Sequence, residues 1–335
     1  MSKPIALVTG GTGLLGSHVI SKLLADGKYV VRAAARSASK LKAIFPNAGS
    51  SLQVVEIPGL TSDFTDALKG VSAIVHVASP GFLKEETGEE IFNGAYEGSI
   101  HIVQQAIKLG VKKIVVTGTV ASLFDTSFSK AFGATAVNEK DFGPVELKDI
   151  DKNDPNTMVI YSAAKTIADK KIWEIAHQHP DVDVTVLLPP AIYGPLVPNF
   201  PVASRSSLST DGYVYDLISQ GLDTWPGLPI ADMVDVRDIA RAHAVALDFP
   251  PLSGRDKRFI ISSGKYSWKK VADLIRKERP ELASRLPRED LEAPAQTTAP
   301  VDVSFTEDVL GFKDYIAWEE TFLAAIDSVL VLERK

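Results

Sequence analysis

Tyr161 and Lys165 place a phenol and an ammonium four residues apart, in a segment (residues 160–178) that is predicted to be helical. Residues four apart lie on the same face of a helix, so we expect the two side chains to project side by side. A phenol with an ordinary pKa of ~10 is a weak acid, and a neighbouring cation lowers that pKa toward neutrality. The pair therefore predicts a general acid, if other segments bring it a substrate and a cofactor.

Thr119 is the third residue that could take part in this chemistry. It follows a predicted strand at residues 113–117, so its hydroxyl is expected at the sheet edge where a carbonyl substrate would lie. Ser122 competes for the same role, since either hydroxyl could donate a hydrogen bond to a substrate oxygen.

A glycine turn could supply the cofactor. A short apolar strand at residues 5–8 leads into a run with glycines at 10, 11, 13 and 16, and a helix is predicted at 14–25. Strand, glycine turn and helix form the context of a dinucleotide site: Gly10 permits the tight turn, Gly13 admits the pyrophosphate, and Gly16 lets helix and strand pack closely. The helix N-terminus offers N–H donors to phosphate. Both Gly-x-x-Gly-x-x-Gly and Gly-x-Gly-x-x-Gly spacings fit.

Two basic residues after the second predicted strand favour NADP(H) over NAD(H). An NAD site commonly has an acidic residue about 20 positions after the turn, whereas an NADP site has a cation there. Arg36 stands at that distance from Gly16, and Lys40 follows it. No carboxylate lies between Asp26 and Glu56 to bind the ribose instead.

The elements that would hold these residues alternate along the chain. Further strands are predicted at residues 29–35, 52–57, 73–77, 113–117, 182–188 and 258–262, with helices at 63–69, 89–109, 161–177, 213–220, 239–247, 266–277 and 318–332. Alternation of this kind predicts an α/β fold, a Rossmann-type doubly wound sheet of seven mostly parallel strands. We expect residues 1–190, joined by a segment around 230–263, to form the NADP-binding domain. Residues 191–229 and 264–335 would form a smaller substrate lobe.

Composition excludes several classes of protein. The 335 residues include 36 basic and 42 acidic side chains, a net charge of −6, without a basic run, so neither nucleic acid nor a membrane surface is an expected partner. Cysteine is absent, which excludes disulfides and thiolate metal sites, and the cytoplasm is the expected location. The six histidines show no metal-binding spacing, so no metal is expected, and no Gly-x-Ser-x-Gly turn is present.

Taken together, four motifs resemble a known family, the extended short-chain dehydrogenase/reductases. More narrowly, they are similar to the dihydroflavonol reductase/cinnamoyl-CoA reductase-like branch, which includes fungal NADPH-dependent methylglyoxal and ketone reductases. The likeness extends nearly to the end of the chain. The motifs are TGGTGLLG at residues 9–16, HVASP at 76–80, YSAAK at 161–165 and VDVRDIARAH at 234–243.

The resemblance implies a role for each motif residue. Tyr161 would be the proton donor, Lys165 would hold the nicotinamide ribose, and Thr119 would stand where the family has a catalytic serine. Arg36 and Lys40 match the contacts to the 2′-phosphate. Gly59 stands where the family often has an aspartate near the adenine. The other implied cofactor contacts are Thr12, Leu14, Leu15, Leu60, Ala78, Ser79, Pro189 and Ile192.

These inferences predict an NADPH-dependent reductase of aldehydes and ketones that acts as a monomer or homodimer. Phe82, Tyr193 and Trp225 are expected to border an apolar, partly aromatic substrate site, and the sequence before Tyr161 lacks the run typical of enzymes acting on acyl-CoA. Two alternatives stay open: a nucleotide-sugar epimerase or dehydratase holding NAD, and a dinucleotide-binding regulator without activity.

Overall fold

A computed structural model describes residues 3–80, 86–227, 230–296 and 298–333. Its strands are β1 (Ile5–Thr9), β2 (Val30–Ala35), β3 (Leu52–Glu56), β4 (Val71–His76), β5 (Lys113–Thr117), β6 (Asp183–Leu188), β7 (Ala191–Tyr193), β8 (Asp232–Asp235), β9 (Lys257–Ile260) and β10 (Gly264–Lys265). Seven of them pair in parallel in the order β3-β2-β1-β4-β5-β6-β9. The predicted seven-stranded, doubly wound fold is confirmed.

The helices are α1 (Leu14–Asp26), α2 (Ala38–Ile44), α3 (Thr65–Leu68), α4 (Gly88–Phe92), α5 (Gly98–Lys108), α6 (Thr157–Gln178), α7 (Asp211–Ser219), α8 (Val236–Asp248), α9 (Trp268–Glu278) and α10 (Trp318–Val329). One π-helical turn, Asn93–Glu97, joins α4 to α5, so the single helix predicted at 89–109 is continuous. Helix α3 is a single turn, shorter than predicted. None of the helices in the described ranges is long and apolar enough to cross a membrane.

Strand β1 shows why the large sheet is buried on both faces. Ala6 and Val8 pack into one apolar core, which also contains residues of α1 and α8, whereas Leu7 packs into the core on the opposite face. Alternate residues of a strand face opposite sides of its sheet, so a continuous apolar run suits a strand covered on both sides. β1 pairs with both β2 and β4, and the chain order reverses at this point.

A second sheet, in the order β10-β8-β7, forms part of a smaller body that also includes α7, α9 and α10. Its core contains the fully buried Trp268 and Phe322. The sequence did not predict these short strands. The proposed domain boundaries stay a prediction; Phe305 and Phe312, in the segment assigned to the lobe, pack into the core of the large sheet.

Candidate active site

The glycine turn after β1 tolerates no side chain at two positions. Gly10 has a φ of +76°, and a Cβ built there would lie 2.8 Å from the backbone nitrogen of Ala78. A Cβ on Gly16 would lie 2.1 Å from the carbonyl oxygen of Gly10. A Cβ on Gly13 would meet only that same oxygen, at 3.4 Å. The turn thus packs tightly against the segment that follows β4 and against α1, and it leaves the backbone at Gly13, the N-cap of α1, open to a ligand.

A cavity of about 970 Å³ extends from this turn along the carboxyl ends of the strands. Its wall includes every residue that the sequence assigned to catalysis or cofactor binding. These are Gly10, Thr12, Gly13, Leu14, Leu15, Gly16, Arg36, Lys40, Gly59, Leu60, Ala78, Ser79, Thr119, Tyr161, Lys165, Pro189 and Ile192. The structure therefore brings the predicted set together, and the role of each residue stays a proposal.

A chain of hydrogen bonds through Thr9, His76 and Ser99 holds the end of β1, where the glycine turn begins, against the end of β4. The hydroxyl of Thr9 accepts from the backbone N–H groups of Val77 and Ala78 at 3.2 Å, so its proton is directed to Nδ1 of His76, 2.8 Å away. Nε2 of His76 then carries the remaining proton and donates to Ser99 at 3.2 Å. Burial lowers the pKa of His76 to about 3, and the charge of Lys165 adds to this effect. The imidazole is therefore neutral.

Arg36 and Lys40 lie on the cavity wall beyond β2. Within the described residues, no ion pair involves either side chain. Arg32, on the same strand, differs: its guanidinium donates to the Gln53 side chain at 2.9 Å and to backbone carbonyls at 2.7 Å. The carboxylate of Glu56 accepts from the backbone nitrogen of Ala38 at 3.0 Å. The two cations at the cavity thus remain available to an anion.

Tyr161 and Lys165 both face the cavity from α6, whose first turn is capped by the side chain of Asn156. Lys165 is 6 % exposed, and its ammonium donates to the carbonyl of Thr117 at 2.8 Å. Burial lowers the pKa of Lys165 to about 8, while the negative charge of Asp169 opposes this shift. Burial also raises the pKa of Tyr161 to about 12. The loss of hydration disfavours the charged phenolate, so the phenol is the stable form in this structure. The expectation that Lys165 lowers this pKa stays a prediction.

Of the two candidate hydroxyl residues, Thr119 is on the cavity wall. It caps the short turn Val120–Leu123, where its Oγ1 accepts from the backbone nitrogen of Ala121 at 3.2 Å. Accepting that bond leaves the hydroxyl proton able to donate elsewhere. Ser122 is 1 % exposed and donates to the carbonyl of Thr119 at 2.8 Å. It is absent from the cavity wall, so Thr119 is favoured over Ser122.

Of the three residues predicted to border the substrate, the two that the structure describes, Tyr193 and Trp225, are not on the cavity wall. Phe82 lies outside the described residues. Tyr193 is completely buried in the smaller body, where its hydroxyl lies 2.8 Å from that of Tyr266. Trp225 packs against the same core and is not on the cavity wall. The prediction for Tyr193 is wrong because the parallel pairing of β7 with β8 turns its ring into the core.

Other apolar side chains form the wall instead, and the sequence analysis missed them. They are Phe124, Phe128, Phe132, Met158 and Phe200. The first three recur at intervals of four after the Thr119 turn, within a segment rich in serine, threonine and glycine. That pattern could have identified them. Asp232, 5 % exposed, is a carboxylate on this wall and accepts a hydrogen bond from the Thr298 hydroxyl.

The residues present fit a dinucleotide. The N-terminus of α1 has an open backbone that matches a pyrophosphate. Two cations after β2, which have no ion-pair partner in the part of the chain that the structure describes, match a further phosphate, and a buried lysine on the cavity wall matches a ribose. In the described ranges no cluster of three or more histidine, aspartate or glutamate side chains is arranged to hold a metal ion.

Comparisons with known proteins agree with this fit. The family model described as "NAD dependent epimerase/dehydratase family" matches residues 6–261. A putative uncharacterized oxidoreductase, C513.07, of Schizosaccharomyces pombe is 31 % identical over 295 residues, 84 % of each chain. The ketoreductase azaE of Aspergillus niger is 30 % identical over 301 residues, 85 % of each chain.

Among solved structures, the yeast methylglyoxal/isovaleraldehyde reductase Gre2, complexed with NADPH, superposes with a TM-score of 0.81. The identity is 21 %, and the match covers 98 % of this chain and 99 % of the other, so it supports the fold. The family predicted from the sequence motifs is confirmed: the chain belongs to the NAD dependent epimerase/dehydratase family, the extended short-chain dehydrogenases/reductases.

Proposed function

We propose that the protein is an NADPH-dependent carbonyl reductase that converts aldehydes or ketones to alcohols. The observation that carries the proposal is the convergence of Thr119, Tyr161 and Lys165 on one cavity with the glycine turn. Arg36 and Lys40, free of carboxylate partners within the described ranges, favour NADPH over NADH. Relatives named ketoreductase and oxidoreductase support the same activity.

The chain's own groups would divide the binding of the cofactor among them. The N-terminus of α1 would hold the pyrophosphate, Arg36 and Lys40 the 2′-phosphate, and Lys165 the nicotinamide ribose. When bound, NADPH supplies the hydride. The Thr117 carbonyl fixes the ammonium of Lys165 at 2.8 Å, which orients the cation for this task.

Thr119 and Tyr161 would act on the substrate oxygen. As negative charge develops on that oxygen, the Thr119 hydroxyl donates a hydrogen bond to it, and Tyr161 transfers its phenolic proton. A phenol whose pKa is about 12 stays protonated at neutral pH, which suits a donor in the direction of reduction. The alkoxide formed is a stronger base than the phenolate, so the proton transfer is favourable.

The apolar wall favours a carbonyl compound with a bulky hydrophobic body. Phe124, Phe128 and Met158 lie on the same cavity as Thr119, and an apolar surface excludes water from the reacting atoms. The cytoplasm remains our proposed location, and a monomer or homodimer the proposed assembly.

The test is oxidation of NADPH and of NADH, measured side by side against aliphatic aldehydes, aryl ketones, β-keto esters, dicarbonyls and acyl-CoAs. We expect turnover with NADPH and the bulkier ketones and aldehydes. Protein purified with stoichiometric NAD, and active on a nucleotide sugar, would instead establish the epimerase alternative. Binding of NADPH without turnover of any carbonyl compound would establish the regulatory one.

A further inference from the structure

Arg258, on β9, is 2 % exposed, and every N–H of its guanidinium has an acceptor. Nε donates to Oδ2 of Asp169 at 2.9 Å, and Nη2 donates to the same oxygen at 2.8 Å and to Oγ of Ser122 at 3.0 Å. Nη1 donates to the backbone carbonyls of Glu139 and Asp141, each at 2.6 Å. A planar guanidinium whose N–H groups are all hydrogen-bonded has a single orientation, so it can hold the groups that it binds in fixed relative positions.

The two side chains that accept hydrogen bonds from Arg258 belong to the segments that carry the proposed chemistry. Asp169 lies on α6 four residues after Lys165, so the two share a face of that helix. Ser122 donates to the carbonyl of Thr119 at 2.8 Å, and its hydroxyl lies 3.2 Å from Asp169 Oδ2. The guanidinium therefore connects helix α6, which carries Tyr161 and Lys165, with the turn that begins at Thr119.

We propose that Arg258 is a positioning residue that joins the turn beginning at Thr119 to helix α6. It acts through Ser122 on the turn and through Asp169 on the helix. The role in catalysis rests on the proposed reductase, because only there must the Thr119 and Tyr161 hydroxyls meet one oxygen atom. A misplacement of about 1 Å in such an arrangement can lower a rate by about 100-fold.

The neighbouring residue on the same strand provides a matched control. Lys257 is also 2 % exposed and ion-paired, but its partner is Asp183 at the start of β6. Successive residues of a strand point to opposite faces of the sheet, so Lys257 and Arg258 are buried on different sides. Removing Lys257 should therefore disturb the protein's stability without disturbing the Thr119 turn.

The experiment compares S122A, R258K and the control K257M in the full-length protein. The substitution R258K keeps the charge, but an ammonium with three N–H donors cannot replace the five hydrogen bonds that the guanidinium makes. We measure kcat and the KM for both substrates, and amide hydrogen exchange in residues 118–124. Several of these amides are hydrogen-bonded: Gly118 donates to Leu187 at 2.7 Å and Val120 to Pro189 at 3.0 Å. Loosening of the turn is therefore measurable without any ligand.

For S122A and R258K we expect kcat to fall by roughly 10- to 100-fold, little change in the KM for NADPH, and faster exchange in residues 118–124. K257M should lower the melting temperature and leave kcat and this exchange unchanged. Unchanged kcat and exchange in S122A and R258K, or equal losses in K257M, would overturn the proposal. The wild type could fail to reduce any carbonyl compound while the amides of residues 118–124 exchange faster in S122A and R258K but not in K257M. That result would refute the proposed reductase and support the connection between the turn and helix α6.

Discussion

The ammonium of Lys165 donates a 2.8 Å hydrogen bond to the carbonyl of Thr117, the last residue of β5. The hydroxyl of Thr117 lies 2.8 Å from Nε2 of His243 on α8, which secures the end of the strand. Thr119 follows two residues later in the chain. The end of β5 therefore holds both the ammonium of Lys165 and the hydroxyl of Thr119 in position. Because burial raises the pKa of Tyr161 to about 12, we propose that the main contribution of Lys165 is to orient its ligand.

Replacing Tyr161 with Phe should lower kcat by about 100- to 10,000-fold, because it removes the proposed general acid and keeps the ring that packs against the apolar cluster of Ile91 and Phe92. NADPH affinity should change little. Stopped-flow absorbance of NADPH oxidation gives the rate, and cofactor fluorescence gives the affinity. An undiminished rate in this variant would refute the assignment of Tyr161 as the donor.

Replacing Arg36 with Leu should raise the KM for NADPH by about 10- to 100-fold, since a charged hydrogen bond contributes ~1.5–3 kcal/mol. The KM for NADH should stay close to the wild-type value. R32L is the matched control on the same strand, because the Arg32 guanidinium is engaged by Gln53 and backbone carbonyls. The KM for NADPH and for NADH is measured by steady-state kinetics in each variant. R32L should lose stability without changing the preference for NADPH over NADH. An equal rise of the KM for NADPH in both variants would contradict the proposal.

The parts of the site that the sequence predicted are local in the chain. The conformation of the glycine turn at residues 10–16 is decided largely by neighbouring residues of the chain. The side-by-side placement of Tyr161 and Lys165 follows from the periodicity of one helix. Contacts between distant segments could not be predicted in this way. The ion pair of Arg258 with Asp169 joins residues 89 positions apart.

Tyr193 shows the opposite error. An aromatic residue just beyond a strand of the large sheet is a reasonable candidate for a pocket, yet its ring packs at 4.9 Å from that of Phe322. The sequence around Tyr193 does not show that β7 pairs with β8, which turns the ring inward. It also does not show that α10, more than a hundred residues later in the chain, packs against that ring. Burial of a side chain in a small lobe is decided by such distant partners.

Replacing Gly16 with Ala should abolish NADPH binding in a protein that remains folded or nearly so. The new Cβ would lie 2.1 Å from the Gly10 carbonyl oxygen, so the turn must open and its N–H groups lose their common direction. G227A is the control, because a Cβ at Gly227 meets nothing within 4 Å. The thermal shift caused by saturating NADPH should vanish in G16A and persist in G227A; an undiminished shift in G16A would show that the turn does not hold the cofactor.

Two buried histidines should make the protein sensitive to acid. Burial lowers the pKa of His76 to about 3 and that of His243 to about 4, below the ordinary value of 6.5. The unfolded chain therefore binds more protons than the folded one below about pH 6.5, and the free energy of unfolding should fall as the pH drops toward 4.

Each histidine contributes at most about 1.4 kcal/mol per pH unit to this slope. His76→Asn isolates the contribution of His76, because the amide oxygen can still accept from the Thr9 hydroxyl while the group no longer titrates. Urea unfolding at pH 7.5, 6 and 5 should show a shallower loss of stability in H76N than in the wild type. The carboxylates titrate alike in both proteins, so identical slopes would mean that folding does not lower the pKa of His76.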